Sequence, residues 1–172
     1  TCDKSNNLYV TSNNTIFKIT PSGSLSTFAD SSDGLNGPAG LAFDKNGNLF
    51  CANSNNNNIL KITPSGSVST FVSGINGPLG IVFDKNNTIY CNSNQTKIVI
   101  ISTNGIVQEP TITGVTISEL NGAAFDNRGN LYTIDTNIIF KINFGVQSEI
   151  IVLNKGKNKG KVNTISSKNE VL

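Results

Sequence analysis

The chain repeats itself about every 41 residues, and that period constrains its fold more than any other feature. Asp3, Asp44, Asp84 and Asp126 fall 41, 40 and 42 residues apart. Around them, residues 2–28 read CDKSNNLYVTSNNTIFKITPSGSLSTF and residues 37–71 read GPAGLAFDKNGNLFCANSNNNNILKITPSGSVSTF. Residues 77–108 read GPLGIVFDKNNTIYCNSNQTKIVIISTNGIVQ, and a more diverged copy spans 121–153. A repeat of this length is one supersecondary unit, which buries its apolar faces by stacking on its neighbours.

In the second copy, short segments at 40–43, 48–53, 59–63 and 67–72 alternate apolar and polar residues, with Asn/Gly breaks between them. That pattern reads as four strands in a meander. Asp44-Lys45-Asn46-Gly47-Asn48 is a tight turn whose Asn-Gly pair tolerates positive φ, and Pro64-Ser65-Gly66 marks the next turn. No segment holds a 3.6-residue period over ten residues, so no helix longer than a turn or two is expected. One four-stranded sheet cannot cover both of its faces, and radial packing of such sheets solves this. The expected fold is therefore all-β: a β-propeller of four-stranded antiparallel blades, about four of them, near 1–34, 35–75, 76–119 and 120–153. Phe43, Phe83 and Phe125, alternating with Ala42, Val82 and Ala124, should line the first strands.

Residues 154–172 form a Lys-rich stretch in which 162–166 align with a first strand. Two arrangements follow. That strand closes a four-bladed ring by joining the first copy beside residues 8–11, or it opens a fifth blade in a segment of a larger propeller. The second is preferred, because Glu170-Val171-Leu172 reads as another strand beginning.

Composition limits the chemistry. The chain has no His, Met or Trp, which removes the commonest general base and the commonest metal ligand. Net charge is +2, with five lysines after residue 153 and a slightly acidic body before it. A solvated loop is the simplest reading of those lysines. No apolar run approaches the ~20 residues of a bilayer span. The compartment stays open, with secretion or association with a particle both admitted.

The units resemble NHL-type repeats and the related propellers of the gluconolactonase and virginiamycin B lyase groups. The residues that carry the resemblance are Gly-Pro-x-Gly-[Leu/Ile]-x-Phe-Asp, Asn-x-[Leu/Ile]-[Phe/Tyr] and Lys-Ile-Thr-Pro-Ser-Gly, over about residues 2–153. This repeat occurs in enzymes, sensors and scaffolds, so it specifies fold and not activity. Resemblance to the lactonases implies an axial metal held by Glu, Asn and Asp. Only Asn121-Gly122 matches that pattern, with Glu119 and Asp135 as the other oxygens in reach, and a hard cation needs several oxygen ligands. No tightly bound metal or cofactor is expected. Resemblance to the lyases implies a catalytic His, which the sequence lacks. RNA-binding NHL propellers imply a basic face, whereas the body has one arginine, Arg128, in a turn. No nucleic-acid partner is expected.

The aspartates at each turn are expected to accept backbone N–H bonds. Cys51 and Cys91 share one strand position in adjacent copies. Packed sheets stand ~10 Å apart and a disulfide needs Cα atoms within ~7 Å, so both read as small buried apolar residues. Cys2 aligns with Phe43 and reads as core. The loops between second and third strands, such as Asn53 to Asn58, share a face with the fourth-to-first connections, and amide-rich loops suit sugars or peptide groups. For the Asn run taken by itself, low-complexity filler is the preferred reading over a binding role. The candidate binding residues are Asp33, Asn36, Asn53, Asn76, Asn92, Glu119, Asn121 and Asp135, of which Asn121 and Asp135 double as metal candidates. The favoured function is a non-catalytic scaffold binding a protein or carbohydrate through this loop face. A metal-dependent gluconolactonase-like hydrolase and a structural module of a larger assembly are the alternatives.

Overall fold

The computed structural model describes residues 1–110, 117–135, 138–144, 148–154 and 165–167. They form four antiparallel sheets in chain order. Sheet 1 holds β1 (Leu8–Ser12), β2 (Thr15–Ile19) and β3 (Leu25–Ala29). Sheet 2 holds β4 (Pro38–Phe43), β5 (Leu49–Asn53), β6 (Asn58–Ile62) and β7 (Val68–Ser73). Sheet 3 holds β8 (Pro78–Phe83), β9 (Ile89–Ser93), β10 (Lys97–Ile101) and β11 (Val107–Gln108). Sheet 4 holds β12 (Ala123–Phe125), β13 (Leu131–Ile134), β14 (Ile138–Phe144), β15 (Ser148–Asn154) and β16 (Ile165–Ser167). Among the described residues the helices are two three-residue 3₁₀ turns, Ser31–Asp33 and Ser54–Asn56.

Each sheet carries one aspartate turn, solved the same way. The Asp44 carboxylate accepts the Asn46 and Asn48 amides, both at 2.8 Å, and the Asn48 side-chain amide at 2.8 Å. Asp3 and Asp126 repeat all three bonds, and Asp84 makes the two backbone ones. Three residues after each Asp the backbone turns left-handed, at Asn6 (φ 60), Gly47 (φ 83), Asn87 (φ 69) and Gly129 (φ 83). Only Gly and Asn enter that region cheaply, and those two alone fill the position.

The sheets stack face to face, with β4 beside β8 and β8 beside β12, so the first strands line the inside of the array. Buried residues fall into three clusters, one at each successive junction. The aromatic of each second strand meets the next sheet's first-strand Phe edge-on: Tyr9–Phe43 at 5.1 Å, Phe50–Phe83 at 5.1 Å and Tyr90–Phe125 at 5.0 Å between centroids. Such pairs add to area burial in each junction. At their loop ends, β4 and β8 carry register shifts between Pro38 and Leu41 and between Pro78 and Ile81. There the strands crowd: a Cβ on Gly40 would lie 2.3 Å from the Leu79 carbonyl oxygen. Gly40 is thus a packing requirement, whereas at Gly80 the crowding is milder, a Cβ there lying 3.3 Å from the Asn121 carbonyl oxygen.

Cys51 and Cys91 are buried free thiols, whereas Cys2 is exposed. This corrects the expectation for Cys2. It bridges Leu8 just as Phe43 pairs with Leu49, so the alignment is right. Phe43, however, rests on an aromatic of the preceding sheet, and among the described residues no sheet precedes sheet 1. Residues 162–164, part of the stretch expected to close the ring or begin a fifth blade, lie outside the described residues. The described Ile165–Ser167 pairs antiparallel with β15, on the outer edge of sheet 4, rather than with β1. The inner edge of β1 is met by the start of the chain, where the Tyr9 amide donates to the Thr1 carbonyl at 2.8 Å.

Candidate binding face

The second-to-third loops and the fourth-to-first connections meet at one end of the sheets, opposite the aspartate turns, and are joined there by side-chain amides. Asn53, at the end of β5, is fully buried. Its Oδ1 accepts the Asn36 amide at 2.7 Å, and its Nδ2 donates to the Gly34 carbonyl at 3.1 Å and to Asn58 Oδ1 at 2.9 Å. The equivalent residue of sheet 3 is Ser93, whose hydroxyl donates to the Asn76 carbonyl at 2.7 Å. In sheet 4 it is Asp135, buried, whose carboxylate accepts the Ser118 amide at 2.8 Å and hydroxyl at 2.7 Å. The polar atom changes and its job does not: each ties the second strand to the connection entering its own sheet.

A second set of bonds crosses between sheets. The residue before the third strand, Asn14 in sheet 1 and Asn57 in sheet 2, accepts the amide of Gly37 and Gly77 in the following connection, at 2.9 and 2.8 Å. Thr11 donates to the Ala39 carbonyl of sheet 2 at 3.2 Å, and buried Asn92, at the same strand position, donates to the Asn121 carbonyl of sheet 4. Asn14, Asn57, Ser93 and Thr11 were not singled out from sequence. Alignment of the copies was the available signal, since Asn14 and Asn57 both stand immediately before a third strand.

The remaining candidates lie shallower. Asp33 is exposed and accepts the Asp30 amide at 3.0 Å, capping its 3₁₀ turn. Half-buried Asn36 bonds Asn56 at 3.0 Å and Asn55 at 3.2 Å. Asn76 and Asn121 are exposed and Glu119 is half-buried, its carbonyl accepting Asn121 Nδ2 at 3.4 Å. All eight candidates therefore lie in one loop end, with Asn53, Asn92 and Asp135 directed into the scaffold.

The metal set implied by lactonase resemblance does not fit these residues. Asp135 directs both carboxylate oxygens at Ser118, and the Asn121 carbonyl faces Asn92. A hard cation needs several free oxygens converging on one point. Among the described residues, no three His, Cys, Asp or Glu side chains gather into a possible metal site. Burial pushes the Cys51 and Cys91 thiols up to about 12, so both stay protonated and inert near neutrality.

Among the described residues, crevices open at the turn end of two junctions. One of about 340 Å³ is lined by Asp44, Phe50, Lys61, Phe71, Phe83 and Asn87. Another of about 270 Å³ is lined by Asp84, Lys85, Tyr90, Phe125, Asp126 and Arg128. They occupy equivalent junctions and repeat with the blades. Burial first, then the Asp84 charge, raises the Tyr90 phenol to about 12, so it too is neutral there.

No family model matches the chain, and no curated protein matches it in sequence. Solved structures do. Virginiamycin B lyase from Staphylococcus aureus superposes with a TM-score of 0.71 at 18% identity, covering 100% of this chain and 69% of that one. A putative gluconolactonase gives 0.67 at 13%, covering 98% and 74%. An auxiliary nutrient binding protein from Bacteroides thetaiotaomicron gives 0.72 at 16%, covering 96% and 45%. At these identities the likeness concerns the fold, and the fold is a β-propeller array of four described sheets. Its structural neighbours are the lyase, gluconolactonase-like and nutrient-binding propellers, in line with the NHL-type repeat pattern. Among the described residues no helix is long and apolar enough to cross a membrane.

Proposed function

We infer that this chain is a non-catalytic propeller scaffold that binds a protein or carbohydrate partner through its loop face. One observation carries the reading: inward-facing amides already hold the loop backbones, while Asp33, Asn55, Asn56, Asn76, Asn94, Gln95 and Asn121 stay exposed in the same loops. A face held this way loses little conformational freedom on binding. Side-chain amides both donate and accept, which matches sugar hydroxyls and peptide groups. The likeness to an auxiliary nutrient binding protein supports a binding role.

The test is a titration of labelled protein with neutral oligosaccharides and with extended peptides, followed by NMR. Shifts should concentrate on Asn55, Asn76 and Asn121, and Asn76→Ala with Asn121→Ala should weaken binding at unchanged melting temperature. Shifts confined to the turn-end crevices would place binding elsewhere. Stoichiometric divalent metal together with lactone hydrolysis by the purified chain would favour the hydrolase reading.

A further inference from the structure

Five Asn-Gly pairs stand in the sequence, at 36–37, 46–47, 76–77, 104–105 and 121–122. Such a pair is chemically labile, because glycine leaves its own amide nitrogen open to the preceding side-chain carbonyl carbon. The structure treats four of them alike. Gly37, Gly47, Gly77 and Gly105 all stand at left-handed φ, and each donates its amide. Gly37 and Gly77 donate to the Asn14 and Asn57 side chains at 2.9 and 2.8 Å. Gly47 and Gly105 donate to the Asp44 and Ser102 carbonyls at 3.2 and 2.9 Å.

Gly122 is the exception. It lies just before β12, its φ is not left-handed, and among the described residues no group accepts its amide. Asn121 and Gly122 are both exposed, and nothing lies within 4 Å of where a Gly122 Cβ would stand. Hydroxide therefore reaches the amide proton. Asn92 adds to the lability, since its Nδ2 donates to the Asn121 carbonyl, the oxygen of the same peptide unit. A donor there stabilises the negative charge that this peptide gains when Gly122 loses its proton.

We propose that Asn121 is a deamidation site of the folded chain. Hydroxide removes the Gly122 amide proton, and the freed nitrogen bonds Asn121 Cγ. The Cγ–Nδ2 bond then breaks, and Nδ2 takes a proton from water and leaves as ammonia. Water opens the resulting imide at Cγ to give an aspartyl residue, or at the backbone carbonyl to give an isoaspartyl one. Nothing is oxidised or reduced. Either product puts a carboxylate on the loop end two residues from Glu119. The isoaspartyl form also lengthens the backbone entering β12. The site stands whether or not that face takes a ligand.

Timed peptide mapping tests it. The folded chain is held in mildly alkaline water enriched in heavy oxygen and digested, and each Asn-Gly peptide is followed by mass spectrometry. Asn121 should convert about five- to tenfold faster than Asn36, Asn46, Asn76 or Asn104, the factor by which one hydrogen bond slows the freeing of an amide. Fragmentation should find both product forms at Asn121. In denaturant, where every pair has the same glycine and no fold, the five rates should draw together. Asn14→Ala removes the acceptor of the Gly37 amide and should raise the Asn36 rate by the same factor. Asn14→Asp keeps an acceptor and should not. Both variants should retain the β-sheet circular dichroism; where Asn14→Ala loses it, Asn57→Ala and the Asn76 peptide replace it. Equal rates in the folded chain overturn the proposal. So does an Asn121 that stays intact while another pair converts, or an Asn36 rate indifferent to Asn14.

Discussion

The two ends of each sheet bond the same backbone under different rules. At the turn end, one residue type serves four times: an aspartate accepts the amides two and four residues on, and a Gly or Asn takes the left-handed step between them. At the loop end, one role passes from Asn53 to Ser93 to Asp135. The turn fixes both the distance and the conformation of the groups that must be bonded, so few side chains fit. The loop end asks for a polar atom at the end of a strand, and amide, hydroxyl and carboxylate all supply one by adjusting the connection they hold.

The largest effect expected from this comparison is at Asn53. Asn53→Leu removes three bonds; the Gly34 carbonyl keeps the Asn56 side-chain amide at 3.2 Å, but the Asn36 amide is left without its partner, at about 1–3 kcal/mol for a group left unsatisfied. Chemical denaturation should show a loss of several kcal/mol; a loss below about 1 kcal/mol would mean that water replaces the side chain. Asn53→Ser copies sheet 3 and should cost markedly less, near the ~1 kcal/mol of a single bond. Equal costs for the two variants would break the claim that the loop end is permissive.

At the turn end the order reverses, because conformation decides. Gly47→Val places a β-branched residue at φ 83 and should cost about 1–2 kcal/mol. Gly47→Asn copies Asn6 and Asn87 and should stay within about 0.5 kcal/mol of Gly. The smallest effect is with pH. Bonding by Asn130 holds the Asp126 carboxyl well below its usual value of 3.8, at about 2, and Asn7 lowers Asp3 in the same direction. A depressed folded pKa means that this stabilisation is complete above 3.8 and disappears as pH falls toward 2. Thermal melts should decline through that window, and Asp126→Asn should flatten the decline.

The turn end was legible in the sequence because each requirement maps to one residue type at one offset. Asp44, Asn46 and Gly47 announce the turn without any knowledge of the rest of the chain. The loop end was legible only in part. Asn53 and Asp135 sat in the right loops, but a sequence does not say whether an amide points into the scaffold or out to a partner; that depends on which connection folds over it. Cys2 failed for a related reason. Its alignment with Phe43 was correct, yet burial belongs to a junction between two sheets and not to a position in one.

The paired cysteines give the array a consequence of its own. Cys51 lies in the junction between sheets 1 and 2 and Cys91 in that between sheets 2 and 3, both as protonated thiols out of reach of solvent. Alkylation of either one waits until its junction opens. In a stack where each unit touches only its neighbours, openings are local and need not be simultaneous. With Cys2 replaced by serine, the two labelling rates become separate clocks, each timing the breathing of one seam. Equal rates would describe an array that opens as a single body; unequal rates would show a chain that unzips from one side.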